Sequence, residues 1–183
     1  LGPLALSAEV REMLERQAKV LVKGAGLRGL FGLDFILADN FPWLVEVNPR
    51  YTAALEVLER ASNLQALAWH QCAFDETMKL PAPSIGHTNF IAKGIYYAKE
   101  RCTIKLAEQI GLTSWPGYSK WTDVPESGEI VEQGWPIVSV FAQGDTREEC
   151  LQQLRTRVTE LEWELNPSSW VTGNWYQRLE DEE

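Results

Sequence analysis

With 183 residues, 45% hydrophobic and 23% charged, the chain can fill one good core or two small ones and is too apolar for a disordered segment. Its 26 acidic residues outnumber 17 basic ones, and the net charge of −9 argues against nucleic acid or an anionic membrane as partner. No apolar run approaches the ~20 residues that span a bilayer, and no signal-peptide pattern opens the chain. The expected setting is therefore the cytoplasm, with Cys72, Cys102 and Cys150 as free thiols, since they are odd in number and lack C-x-x-C spacing. His70 and His87 have no metal-spaced companions and read as packing or surface residues.

Ser7 can cap a helix running to about Lys23, with Glu9 near its positive end and Val10, Met13, Leu14, Ala18 and Leu21 as the apolar stripe. Gly24-Ala25-Gly26-Leu27-Arg28-Gly29 follows that helix and precedes a strand. This is the reverse of the strand-loop-helix order that cradles phosphate, so it reads as a helix stop and turn. Leu33, Phe35 and Leu37 share one face of a strand, and Trp43, Val45 and Val47 share one face of the next, around a turn from Ala38 to Pro42. Folded symmetrically about Asn40, this hairpin sets Asp34 opposite Glu46 on its other face, with Asn48 two residues further along. Like charges directly opposed are destabilising. A hard divalent cation, which wants carboxylate and amide oxygens, turns that liability into a binding site. Solvated acids on a half-exposed hairpin are the plain alternative.

A helical stretch from Ala53 to Arg60 follows, then a helix capped by Ser62 and running through Leu64, Leu67, Ala68, Cys72 and Ala73. Leu80-Pro81-Ala82-Pro83-Ser84 reads as a linker. Beyond it, Thr88–Ala98 is rich in strand formers, and Glu129–Val131 and Pro136–Phe141 suggest a strand pair around Gln133-Gly134. Asp145 or Thr146 caps a last helix that packs through Cys150, Leu151, Leu154, Val158 and Leu161. The end, Leu-Glu-Asp-Glu-Glu, is a solvated acidic tail. Three units result: 1–80, 81–165 and 166–183. Among eight tryptophans, Trp43 is expected on the buried stripe and Trp163 on the last helix. Trp170 and Trp175 are expected to fold back or to dock elsewhere.

The order Asp34, hydrophobic strand, turn, hydrophobic strand, Glu46-Val-Asn48-Pro49-Arg50 resembles the metal and nucleotide hairpin of the ATP-grasp ligases. The wording from Glu46 to Thr52, followed by Glu56-Val57-Leu58-Glu59, looks most like the branch related to biotin carboxylase, without a biotin partner. The resemblance implies an α+β fold, the C-terminal ATP-grasp subdomain with an antiparallel sheet and packed helices. The pattern Gly-x-x-Val-x-x-Gly-x-Pro-Ile then Gly-x-Thr-x-Glu-Glu is similar to the small lobe, a β-hairpin plus helix, that follows in carboxylase-like members. Carried over residue by residue, Asp34, Glu46 and Asn48 hold Mg²⁺ (or Mn²⁺) on the ATP phosphates, and Arg50 is the catalytic cation.

The activity this resemblance implies is activation of a carboxylate as an acyl phosphate by Mg-ATP for attack by an amine, or by a thiol. Two alternatives stand beside it: a bicarbonate-using carboxylase, and a non-catalytic interaction or regulatory subunit. In the carboxylase branch an acid four residues after the arginine acts on bicarbonate. Here the nearest acid, Glu56, is six after Arg50, which favours a different substrate geometry or a structural Glu56. The chain opens at Leu1, and the lysine, glycine-rich loop and adenine hinge of the family's front half are not found. The expected partners are therefore small-molecule carboxylate and amine substrates, an N-terminal ATP-grasp half, and a homodimer where apolar surface is left open. The fragment alone is expected to be inactive.

Overall fold

The computed structural model describes residues 1–81, 89–105, 114–115 and 118–165. Helix α1 spans Ala8–Ala25. Ser7 Oγ accepts from Val10 N at 3.3 Å, and Gly26 closes the helix in the left-handed region, where a residue without Cβ is favoured. The glycine-rich stretch is thus a helix stop. Beyond it, Leu30 N donates to His70 Nδ1 at 3.0 Å and the Arg28 guanidinium lies 4.9 Å from the Phe74 ring, so the connection is tied down by side chains.

Strands β1 (Gly32–Ala38) and β2 (Phe41–Asn48) form the expected antiparallel hairpin, but its turn is shorter than composition suggests. Only Asp39 and Asn40 lie outside the strands, both at positive φ (51° and 58°), the sense that matches strand twist in two-residue hairpins. Helix α2 covers Ala53–Ser62 and α3 covers Ala66–Cys72. Ser62 does not cap α3. It ends α2, donating to the Leu58 carbonyl at 2.7 Å, because Asn63 takes the left-handed conformation and closes α2. The first turn of α3 is satisfied instead by Glu59, whose Oε1 accepts from Ala66 N at 2.8 Å.

The second part is built on β3 (Phe90–Tyr97) and β9 (Pro136–Gly144), paired antiparallel, with β7 (Trp121–Thr122) on the other edge of β9. Two-stranded pairs join β4 (Cys102–Thr103) to β8 (Ile130–Val131) and β5 (Ser114–Trp115) to β6 (Tyr118–Ser119). The segments 129–131 and 136–141 are therefore not partners of each other. Gly134, at φ 79°, turns the chain so that its N–H and the Trp135 carbonyl bond Ala98, and β9 is delivered to β3 instead.

Helix α4 (Arg147–Leu165) lies across β3 and β9. It opens with a reciprocal cap: Glu149 N donates to Thr146 Oγ1 at 3.1 Å, and Glu149 Oε2 accepts from Thr146 N and Asp145 N. Cys150, Leu154, Val158 and Leu161 are buried against Ala92, Val138, Val140 and Ala142, while Trp163 on the same helix is exposed. A smaller cluster, Val57, Ala61, Ile91 and Phe141, joins α2 to β3 and β9, and Gly2 pairs with Ile91. The arrangement is the expected α+β one of antiparallel strands with packed helices. Among the described residues no helix is long and apolar enough to cross a membrane. The tail, His87, Trp170 and Trp175 lie outside the described residues.

Candidate functional site on the hairpin

A two-residue turn fixes register. Carried on without interruption, the pairing that runs from Ala38–Phe41 to Phe35–Leu44 would set Asp34 against Val45 and turn Glu46 to the opposite face. A β-bulge intervenes. Val45 is left unpaired, the register shifts between Asp34 and Phe35, and Asp34 pairs with Glu46, Leu33 with Val47 and Gly32 with Asn48. The two acids face each other as the sequence suggests, for a reason that symmetry about Asn40 does not supply.

The two-residue turn also corrects the expected faces. Leu44 and Pro42, not Trp43 and Val45, share the face of Phe35 and Leu37. Pro42 is fully buried there, and its carbonyl accepts from Gln17 Nε2 on α1 at 2.9 Å. Trp43 is 59% exposed and Ile36 62% exposed, on the same face as Asp34 and Glu46. The working face of the hairpin thus carries two carboxylates next to an apolar patch of Ile36, Phe41 and Trp43, with the two rings edge-on at 4.9 Å.

Asn48 is the buried member of the set, and its Nδ2 donates to Asp34 Oδ2 at 3.3 Å. Its Oδ1 accepts from Arg50 Nη2 at 3.2 Å, so one amide joins a predicted metal ligand to the predicted catalytic cation. Pro49 makes the corner: Arg50 N donates back to the Asn48 carbonyl at 2.8 Å, a three-residue turn that prolyl φ favours. Gly32 makes room for this corner, because a Cβ there would meet Thr52 Cγ2 at 2.7 Å. Behind the corner the Tyr51 hydroxyl donates to Glu59, and burial together with that carboxylate pushes the phenol well above its ordinary range. Sequence reasoning missed Tyr51 and Glu59, whose only signal is an eight-residue spacing that brings them together across the start of α2.

Asp34, Glu46 and Arg50 are exposed. The donor set is two carboxylates and an amide, all oxygen, as a hard cation requires. Among the described residues no group of three or more His, Cys, Asp or Glu side chains gathers to hold a metal. The set fits Mg²⁺ or Mn²⁺ as a partial shell completed by phosphate oxygens and water. For Asn48 to offer oxygen beside Asp34, its amide must turn over, which takes Oδ1 away from Arg50.

Glu56 is engaged elsewhere: Arg60 Nη2 lies 3.0 Å from its Oε1 and Lys93 Nζ 2.8 Å from its Oε2. A separate cavity of about 270 Å³ in the second part, lined by residues including Tyr96, Lys99, Cys102, Ile137 and Glu162, includes no residue of the hairpin.

Residues 3–54, from before α1 to the start of α2, match the sequence profile of the ATP-grasp domain. An uncharacterised protein of Methanocaldococcus jannaschii is 24% identical over 123 residues, 67% of this chain and 28% of that protein. The carbamoyl phosphate synthase large chain of Micrococcus luteus is 31% identical over 65 residues, 36% of this chain and 6% of that one. Among solved structures, the phosphoribosylamine–glycine ligase of Thermotoga maritima superposes with a TM-score of 0.61 at 18% identity, covering 86% of this chain and 41% of that one. The L-amino acid ligase of Bacillus licheniformis gives 0.62 at 14% identity, again covering 86% and 41%.

These superpositions show that the chain shares its fold with those two ligases. The match to the ATP-grasp profile includes the whole hairpin. The chain spans about two fifths of the length of these solved relatives.

Proposed function

We propose that this chain is the C-terminal part of a cytoplasmic ATP-dependent ligase that activates a small-molecule carboxylate as an acyl phosphate for attack by an amine. Residues 1–80 then form the C-terminal ATP-grasp subdomain and 81–165 the small lobe, with an N-terminal half supplying the rest of the nucleotide cleft. The observation that supports this reading is the bulge at Val45. It spends a strand residue to keep Glu46 beside Asp34, and bulges that re-aim a side chain recur next to active sites.

Asp34, Glu46 and Asn48 would hold Mg²⁺ (or Mn²⁺), which neutralises phosphate charge when bound. Arg50, released from Asn48 by the amide turning over, offers a planar fork suited to the charge that develops on the acyl phosphate. A second reading, a bicarbonate-using carboxylase, draws on the likeness to carbamoyl phosphate synthase. The double engagement of Glu56 counts against it, because no other acid follows Arg50 closely.

The test is Mn²⁺ binding to this chain, followed by relaxation enhancement of water protons. Wild type should bind weakly. Asp34→Asn and deletion of Val45 should each weaken binding at least about tenfold, the deletion by turning Glu46 away. Equal binding by all three proteins would end the metal assignment. Added to its N-terminal half, the chain should release phosphate from Mg-ATP in the presence of a carboxylate, and alone it should not.

A further inference from the structure

The cavity of about 270 Å³ in the second part is built from the ends of β3 and β4, from β9 and from α4, and the hairpin chemistry does not use it. Its walls are fixed by backbone hydrogen bonds. Ala98, just past β3, donates its N–H to the Trp135 carbonyl at 2.9 Å and accepts from Gly134 N at 2.8 Å. Ile104, just past β4, donates to the Glu129 carbonyl and accepts from Gly128 N, both at 2.8 Å. Ala98, Ile104 and Ile137 are buried and make the walls apolar, and α4 supplies Glu162.

Glu162 has half of its accepting capacity unused. The Tyr96 hydroxyl donates to its Oε1 at 3.2 Å, and Lys99 Nζ donates to the same oxygen at 2.8 Å. Its Oε2 accepts from no described residue. An ionised carboxylate takes hydrogen bonds on both oxygens. Burial and the Glu162 charge push the Tyr96 phenol well above its ordinary range, so the hydroxyl stays a donor and Oε1 stays occupied. The lining carries one ammonium, Lys99, against two carboxylates, Glu100 and Glu162, which favours a cation over an anion. An apolar space with one half-satisfied carboxylate in its wall is complementary to an ammonium on an aliphatic stem.

We propose that this cavity binds a small aliphatic primary amine, its ammonium donating to Glu162 Oε2 and its stem lying on Ala98, Ile104 and Ile137. The volume lies just below the range of about 300–1,000 Å³ that holds drug-sized ligands, so the ligand is a small one. The proposal goes beyond the ligase reading and does not depend on it, since no hairpin residue lines the cavity.

n-Hexylamine is the probe, with 1-hexanol and hexanoate as neutral and anionic heads on a similar stem. Each is titrated into the ¹⁵N-labelled 183-residue chain at constant pH and ionic strength, and amide shifts are read at Lys99, Cys102, Thr103 and Glu162. Hexylamine should give shifts that saturate at about millimolar concentration. Hexanol should bind at least about tenfold more weakly, and hexanoate should not saturate. Glu162→Gln, which keeps the shape and removes the charge, should weaken hexylamine at least about tenfold. Thr103→Trp, which adds a ring to the lining from an exposed position, should weaken it as much.

Shifts that stay linear with hexylamine, or equal affinity for all three heads, overturn the proposal, and so does unchanged affinity in Glu162→Gln. Should that variant fail to fold, Thr103→Trp and the comparison of heads decide, and full affinity in Thr103→Trp also overturns it. Nα-acetyl-lysine amide carries the same head on a peptide unit. It should bind more weakly than hexylamine, because its amides would lose water against apolar walls. Equal binding would give the cavity to a lysine of a protein partner and overturn the small-molecule assignment.

Discussion

The two parts of the molecule use apolar residues in opposite ways. In the β3–β9–α4 unit, Val140, Ala142, Cys150 and Leu161 are wholly buried, and the helix is seated by its apolar stripe. On the hairpin, Ile36, Trp43 and Val45 are each about three-fifths exposed, and only Pro42 is fully covered. The first is a core whose shape is set by packing. The second is a platform whose register is set by a turn, a bulge and one buried amide, and whose apolar face is left for something else to cover. The packed core and the candidate site are divided between neighbouring elements, with α2 joining them.

The sharpest way to break this contrast is to truncate one side chain on each part. Leu161→Ala removes a fully buried side chain from the α4 seam and should cost about 2–5 kcal/mol. Trp43→Ala, although it deletes more atoms, should change stability by less than about 0.5 kcal/mol because the ring is already in solvent. Urea unfolding of both variants checks the pair. Comparable losses would mean that the hairpin face is covered in solution, by a second copy for instance.

Much of this was legible in the chain because it is local. The α1 cap at Ser7, the stop at Gly26, the α4 stripe and the Thr146–Glu149 cap all depend on residues within four positions of one another. The pairing of Asp34 with Glu46 was also reached, but through a symmetry about Asn40 that a two-residue turn and a bulge replace. Which hydrophobic residues of β2 lie inside was not. The two-residue turn sets Trp43 opposite Ile36, the bulge then restores the expected face at Glu46 and Val47, and nothing in the alternation of Trp43, Val45 and Val47 announces either shift.

Pairing of β9 with β3 rather than with 129–131 was hidden for a different reason. It depends on closure over some forty residues, which local preference cannot see. The Glu56–Lys93 contact spans 37 positions and leaves no periodic trace at all.

A smaller effect sharpens the comparison at the edge of the core. Thr146→Ala removes the hydroxyl that accepts from Glu149 N and should cost about 1 kcal/mol, most of it in the first turn of α4. Amide hydrogen exchange should show faster opening near Glu149 and Cys150, with no change on β1 or β2. Equal acceleration on the hairpin would mean that the two parts open as one unit.

The smallest effect concerns alkaline pH and again separates the two parts. Cys150 is fully buried with its thiol 3.5 Å from the Ala142 carbonyl, and burial pushes its ionisation upward. The unfolded chain releases this proton near the ordinary thiol value of about 8.5, whereas the folded chain keeps it. A raised folded pKa contributes stability that is complete below the unfolded value and is lost as pH climbs toward the folded one. The urea midpoint of wild type should therefore fall between about pH 8.5 and 9.5. Cys150→Ala, lower in stability at neutral pH for the lost sulfur, should show a flatter profile over that interval. The phenols of Tyr51 and Tyr96, both pushed up by burial and a neighbouring carboxylate, add their own decline only above about pH 10 and leave the interval clear. Parallel slopes in wild type and Cys150→Ala would show that the thiol ionises in place, and that the α4 seam is wetter than its packing indicates.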